Sequence, residues 1–207
     1  MKAINITNIS KSFGPNQVFE NLNFYLEKGE IVTITGASGA GKTTFLRCLV
    51  GLEKIDSGSI EINGKFLVEN GTYTDKKEQK TILSEIGIVF QNYNLFLNLT
   101  SFQNLKIVCD DENKIKNLMK KFDIYEKRDL YPHQLSGGQQ QRIAVIRVLV
   151  KDPKIILFDE PTSALDQENR IGISNLIKEL KKQMYSIIVV THDEKFIELI
   201  ESRIFEI

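Results

Sequence analysis

The chain has 207 residues, long enough for one α/β domain with a buried core, with or without a small helical insertion, and too short for two large domains. Lys plus Arg and Asp plus Glu are 27 each, so no overall basic field holds nucleic acid and no acidic tail is present. No stretch approaches the roughly 20 apolar residues of a membrane-spanning helix, and residues 1–6 lack the apolar core and cleavage site of a signal peptide, so a cytoplasmic location is expected.

In chain order, apolar residues recur with rough alternation from Lys2 to Phe13 and from Gln17 to Leu26, with Gly14-Pro15-Asn16 as the turn between them. This predicts an antiparallel β start. Ile31 to Thr35 is short, apolar and β-branched, as a strand buried on both faces should be. It leads into Gly36-Ala37-Ser38-Gly39-Ala40-Gly41-Lys42-Thr43, which fits G-x-x-x-x-G-K-[ST], and a helix follows from near Lys42 to Val50. Glycines at 36, 39 and 41 let the backbone wrap an anion with N–H groups pointing inward, at the positive end of the helix. Lys42 can then reach β- and γ-phosphates and the Thr43 hydroxyl can ligate Mg²⁺, with Thr44 the next polar group.

Ser59 to Ile62 predicts a hairpin strand between turn signals, whereas Asn70 to Lys80, polar and charge-rich, predicts an exposed loop. Gly87 to Phe90 predicts a buried strand ending at Gln91, and helices are expected over Ser101 to Val108 and Glu112 to Phe122. Leu135-Ser136-Gly137-Gly138-Gln139 leads into an apolar helix, with Ser136 placed as N-cap and Gln139 three residues on, although the Gly pair by itself also suits a plain helix-start turn. Lys154 to Glu160 is an apolar strand ending in two carboxylates, and ligands gather at the carboxyl ends of strands in a parallel sheet. Asp159 can hold Mg²⁺ opposite Thr43, and Glu160, expected to alternate to the other side of the strand, could take a proton from an attacking water. Gln167 to Gln183 carries Ile173, Leu176, Ile177 and Leu180 at helical spacing. Ser186 to Val190 predicts a strand that puts His192 on the same sheet edge as Asp159, where a histidine serves either structure or chemistry. A helix over Glu194 to Ile200 and a strand over Arg203 to Ile207 close the chain. Cys48 and Cys109 are far apart and outside any metal-like cluster, so reduced thiols are expected.

Taken together, the order of P-loop, Gln91, Leu-Ser-Gly-Gly-Gln, Asp159-Glu160, Ser163-Ala164-Leu165-Asp166 and His192 resembles the ATP-binding subunit of ABC transporters over essentially the whole chain. The resemblance implies an α/β fold, a mostly parallel P-loop NTPase sheet core with an antiparallel β subdomain and a helical subdomain at about residues 92–150. It also implies an ATPase that uses ATP and Mg²⁺. By that analogy Phe13 stacks on adenine with Val18 near it, Gln91 contacts Mg²⁺ and the attacking water, Glu160 is the general base, and His192 contacts the γ-phosphate. Ser136, Gly137, Gly138 and Gln139 would cap the γ-phosphate of ATP held by a second copy, and Asp166 would lie across that dimer interface. The implied partners are a paired ATPase subunit, integral membrane permease subunits and an extracytoplasmic substrate-binding protein, with the chain on the cytoplasmic side of the membrane and no nucleic acid involved.

Leu46-Arg47-Cys48-Leu49, Val89 to Phe96 and Leu157 to Asp166 are similar in wording to the polar amino-acid uptake group, and the lipoprotein-release and macrolide-export group comes second because it carries Gly-Asn where this chain has Ser163-Ala164. A soluble non-transport member of the superfamily and a scaffold without turnover are further alternatives. The first does not suit 207 residues, and the second does not suit the presence of Lys42, Asp159, Glu160 and His192 together. Two departures stand out. Ile146-Arg147-Val148-Leu149 replaces the family's smaller Ala-Arg-Ala-Leu, adding volume to a packed helix, and the chain stops at Ile207, which would leave the last strand without its usual neighbour.

Overall fold

Alternation of side chains along five short apolar strands builds the centre of the molecule. A computed structural model describes residues 1–37, 39–163 and 167–207, leaving aside the side chain of Glu168. In chain order the elements are β1 (Lys2–Phe13), β2 (Asn16–Glu27), β3 (Ile31–Thr35), α1 (Lys42–Leu49), β4 (Ser57–Ile62), β5 (Lys65–Glu69), β6 (Thr72–Tyr73), α2 (Lys76–Leu83) and β7 (Ile86–Val89). There follow α3 (Ser101–Lys106), α4 (Glu112–Lys121), α5 (Gly137–Leu149), β8 (Ile155–Asp159), α6 (Gln167–Lys182), β9 (Ser186–Val190), α7 (Glu194–Ile200) and β10 (Arg203–Glu206). Two 3-10 turns, Tyr125–Lys127 and Pro132–Gln134, lie between α4 and α5.

The strands form two sheets. One is antiparallel in the order β2-β1-β4-β5-β6, and the other is parallel in the order β10-β3-β9-β8-β7. In the parallel sheet one set of alternate residues, Val32, Ile34, Ile155, Leu157, Ile188 and Val190, packs with α1 and the antiparallel sheet. The other set, Ile31, Ile156, Phe158, Ile187 and Val189, packs under α5, α6 and α7. Both faces are therefore dry, which is why these strands read as continuous apolar runs. Helix α1 lies between the sheets. Its Phe45 is fully buried and meets Phe24 edge-on at 5.4 Å and Phe19 at 6.4 Å. Such edge contacts suit the ring quadrupole and hold α1 against the antiparallel sheet.

Helix α5 is buried around most of its circumference. Ile143, Ile146 and Val150 enter a separate cluster with Leu105, Ile115, Met119 and Ile124, while Ala144, Val145 and Leu149 join the core over the parallel sheet. The larger residues on this helix find room without displacing it. Ile146 is fully buried among the helices, and Val148 fits against Gly87 of β7, where an added Cβ would come within 2.1 Å of Val148 Cγ1.

The expectation of a loop over Asn70 to Lys80 is overturned, because β6 and α2 occupy most of it. Asp75 caps α2 by accepting from the N–H groups of Lys77 and Glu78 at 2.8 and 3.1 Å, and the Tyr73 hydroxyl accepts from the Ile55 N–H at 2.9 Å. Helix α2 buries only Ile82, so its sequence shows no apolar stripe and the cap was its one legible signal. Strand β5, the partner of β4, was not foreseen, and the remaining elements agree with the sequence reading to within a few residues at their ends.

The fit of Gly87 to Val148 is expected to be exclusive. Gly87→Ala should lower stability by about 1–3 kcal/mol through overpacking. Urea unfolding of Gly87→Ala, Val148→Ala and the double variant should show the double variant losing less than the sum of the single losses.

Candidate active site

Parallel pairing carries three strand ends to one edge. Ile34 of β3 lies level with Val190 of β9, and Val190 with Asp159 of β8, so the segments after these strands emerge side by side. The Glu160 N–H donates to Val190 O at 2.8 Å and the Thr191 N–H to Ile34 O at 3.3 Å, which continues the sheet into the loops.

After β3 the chain wraps into the glycine loop and enters α1 at Gly41, whose φ of 93° is left-handed. A side chain there would be strained, and a Cβ would also come within 2.4 Å of Val18 Cγ1, so β2 lies directly on the loop. The Lys42 ammonium donates to Gly36 O at 2.8 Å and Ala37 O at 2.9 Å, and the Ala40 N–H donates to Ala37 O at 3.1 Å. A cleft of about 690 Å³ opens above the loop, lined by Gly36, Gly39, Gly41, Lys42, Thr43, Thr44, Gln91, Glu160, Val190 and His192. That volume suits a nucleotide-sized ligand.

Asp159 is only 8% exposed, close enough to the Thr43 side chain and the Lys42 ammonium to feel both. Burial pushes the Asp159 carboxyl above the ordinary aspartate range. The neighbouring Glu160 charge adds to the rise, while Thr43 and Lys42 act against it. Glu160 departs from its expected place. Strand β8 ends at Asp159 and Glu160 takes a left-handed φ of 46°, so a reversal of the backbone at the strand end, rather than alternation along it, turns its carboxylate. Glu160 Oε1 is 3.0 Å from His192 Nδ1, which fixes one side of the carboxylate. Among the described residues, Asp159 Oδ1 and Glu160 Oε2 are buried without a hydrogen-bond partner. Buried carboxylate oxygens are costly to leave unpaired, and these two offer free acceptor positions to a cation or a proton donor.

Ser136, Gly137, Gly138 and Gln139 do not line this cleft. They open α5 in a capping box, the Ser136 hydroxyl accepting from the Gln139 N–H at 3.3 Å and the Gln139 side chain accepting from the Ser136 N–H at 3.0 Å. A Cβ at Gly138 would come within 2.2 Å of Asn169 Oδ1, so the cap packs tightly against α6. Phe13 also lies outside the lining, at the end of β1, and the residue is 47% exposed. Ser38 and Asp166 fall outside the described residues, as do Ala164 and Leu165.

Three contributors escape sequence reasoning in whole or part. Arg147 of α5 donates to the carbonyls of Tyr93 and Asn94, both at 2.6 Å, and so clamps the segment after Gln91. Gln141, fully buried, donates to Pro161 O at 2.9 Å, tying α5 to the segment after Glu160. Lys11 is 8% exposed on the inward face of β1 and lies over the Phe13 ring. A lysine alternating with Ile9 and Phe13 was the available signal.

A family model described as ABC transporter matches residues 19–163. The glutamine transport ATP-binding protein GlnQ of Escherichia coli (strain K12) is 38% identical over 97% of this chain and 85% of its own length. The L-cystine import ATP-binding protein TcyN of Bacillus subtilis (strain 168) is 39% identical over 97% of this chain and 80% of its own. Among solved structures, the dimeric post-hydrolysis state of the ATP-binding cassette MJ0796 bound to ADP and Pi matches with a TM-score of 0.83 at 32% identity, covering 99% of this chain and 94% of that one. CbiO1 from Clostridium perfringens, part of the ABC transporter complex cbiONQ, matches with a TM-score of 0.87 at 28% identity, covering 99% and 84%.

The raised Asp159 carboxyl means that the native state holds this proton more tightly than the unfolded chain does, so its contribution to stability falls as pH rises through the carboxylate range. Asp159→Asn removes the like charge beside Glu160. Thermal unfolding without nucleotide or metal should therefore show a higher Tm for Asp159→Asn at neutral pH, with the difference shrinking as pH falls toward about 5. A lower Tm at neutral pH would contradict the electrostatic reading. With the glycine loop, the paired carboxylates and His192 at one sheet edge, and with these matches across its length, the chain belongs to the ABC transporter family and has the fold of that family's ATP-binding cassettes.

Proposed function

We propose that this chain is the ATP-hydrolysing subunit of an amino-acid importer, acting as a pair of cassettes on the cytoplasmic face of separate membrane permease subunits, with an extracytoplasmic substrate-binding protein delivering the cargo. The observation that carries the enzymatic part is the convergence of Lys42, Thr43, Asp159, Glu160 and His192 at one sheet edge, with one oxygen of each carboxylate unpartnered among the described residues. Uptake of amino acids is supported by GlnQ and TcyN, whose names carry glutamine transport and L-cystine import. Among the described residues no helix is long and apolar enough to cross a membrane.

Phosphates of ATP would lie in the glycine loop formed by residues 36–43, with Lys42 exchanging its two carbonyl partners for β- and γ-phosphate oxygens. The Thr43 hydroxyl and Asp159 would hold Mg²⁺, with Gln91 at the end of the neighbouring strand completing the protein's share. When bound, Mg²⁺ would offset the charge that builds on the transferred phosphoryl group.

Glu160 Oε2 would accept the proton of a water whose oxygen attacks the γ-phosphorus, while the bond to the β–γ bridging oxygen breaks and ADP leaves. His192 would hold Oε1 through Nδ1 and turn its largely exposed ring toward the γ-phosphate. Because Ser136 to Gln139 lie away from their own chain's cleft, a second copy would supply that segment, and the MJ0796 dimer bound to ADP and Pi supports such pairing. Phe13 would stack on adenine from the end of β1, and Asp166 would lie at the interface between copies.

Glu160→Gln should lower kcat by about 10²–10⁴-fold while ATP binding stays within a few-fold, measured by phosphate release and equilibrium binding. Parent-rate turnover in Glu160→Gln would remove Glu160 as the base. Purification of the tagged chain from native membranes should bring with it a permease of the amino-acid type and its binding protein. A permease with a large extracytoplasmic domain would move the reading to lipoprotein release or export.

A further inference from the structure

We propose that Lys11 is a positioning residue for adenine recognition, its ammonium fixing the Phe13 ring and polarising it for stacking on a purine. The proposal rests on the reading that Phe13 stacks on the base. Along β1 the side chains of Ile9, Lys11 and Phe13 share one face, and Ile9 is fully buried, so an apolar residue would be the expected occupant of position 11. A lysine there is 8% exposed, and the β1–β2 register shifts both between Ile9 and Lys11 and between Lys11 and Ser12. Such bulges re-aim a side chain, and here they flank the one that reaches the ring.

Lys11 Nζ lies 4.5 Å from the Phe13 ring centroid, close to an aromatic face. Its carboxylate neighbours stand farther than a tight ion pair, Glu53 at 3.9 Å and Asp56 at 4.0 Å. They balance the charge and hold it in place without drawing it off the ring. Asp56 is itself fixed to β1, since its Oδ2 accepts from the Ser12 N–H at 2.6 Å and its own N–H donates to Ser10 O at 2.8 Å. Glu53 also lies 3.9 Å from Arg47 of α1, so the cluster runs from the helix that ends the phosphate loop to the ring beside it.

Two consequences follow for the ring. A cation against one face stops the ring from turning into the bulge and keeps its remaining surface available to a ligand, the residue being 47% exposed. It also draws π density toward itself, which leaves the free face a better partner for an electron-rich purine. A lysine serving only the charge balance of Glu53 and Asp56 would not need the ring at all. That difference gives the test.

Dissociation constants for ATP and for inorganic tripolyphosphate, which occupies the phosphate loop without a base, separate the two roles, together with KM and kcat. Lys11→Gln should raise Kd and KM for ATP about fivefold, leaving kcat and tripolyphosphate affinity unchanged, and Lys11→Arg should restore ATP binding. In a Phe13→Ala background Lys11→Gln should have no further effect on ATP. Equal weakening of ATP and tripolyphosphate, or an undiminished Lys11→Gln effect without the ring, overturns the proposal. Phe13→Ala that leaves ATP affinity unchanged removes the parent reading instead, whereas Phe13→Ala that weakens ATP while Lys11→Gln does not overturns only the role of Lys11. Lys11→Gln combined with Glu53→Gln leaves no surplus carboxylate and gives the same readout if Lys11→Gln alone does not fold.

Discussion

Parallel alignment of β3, β9 and β8 is the constraint on which the site depends. Ile34, Val190 and Asp159 stand level across three adjacent strands, so the glycine loop, the His192 segment and the paired carboxylates leave the sheet at one height. The alignment is held from both faces. Each strand offers alternate apolar residues to α1 and the antiparallel sheet on one side and to α5, α6 and α7 on the other. A one-residue slip would exchange these two sets and move the carboxylates out of reach of Thr43, and the packing forbids it.

Burial at that edge has an electrostatic cost that the fold carries. Asp159 is buried beside Glu160, and its carboxyl is raised by desolvation and by the neighbouring charge. The left-handed backbone at Glu160 adds local strain, and the Val190 carbonyl and His192 hold the residue in that conformation. Unpaired acceptors, a carboxyl that holds its proton more tightly than usual, and backbone strain fall on the same two consecutive residues. The proposed role of this pair in holding a cation and taking a proton would account for all three, whereas a purely structural strand end would have favoured paired oxygens.

Helix α5 ties distant parts of the molecule to this edge. Its first turn is the capped segment at Ser136, its middle sends Gln141 to Pro161 just past the carboxylates, and its last turns send Arg147 to the two carbonyls after Asn92. Because the helix is apolar on both of its flanks it cannot shift against one core without disturbing the other. One helix thus ties the capped segment, the residue after Glu160 and the segment after Gln91 into one packed unit.

Local sequence determined much of this protein. The glycine loop, the strand before it, the capping box at Ser136, the strand-end Asp159 and His192, and nearly all helices and strands were legible, because each is specified by neighbours in the chain through turn chemistry, caps and periodicity. The resemblance of the ordered motifs to the ABC transporter ATPases was legible as well, and the family match agrees with it. Tertiary structure decided the rest. Helix α2 exists because Asp75 caps it and Ile82 docks, too little apolar pattern to announce itself. The turn of Glu160 depends on a hydrogen bond to a strand far away in sequence, and Val148 is tolerated because Gly87 lies on another element. The partnership of Lys11 with Phe13, Glu53 and Asp56 likewise joins residues whose proximity only the folded sheet creates, since periodicity reports which way a side chain faces but not what it meets.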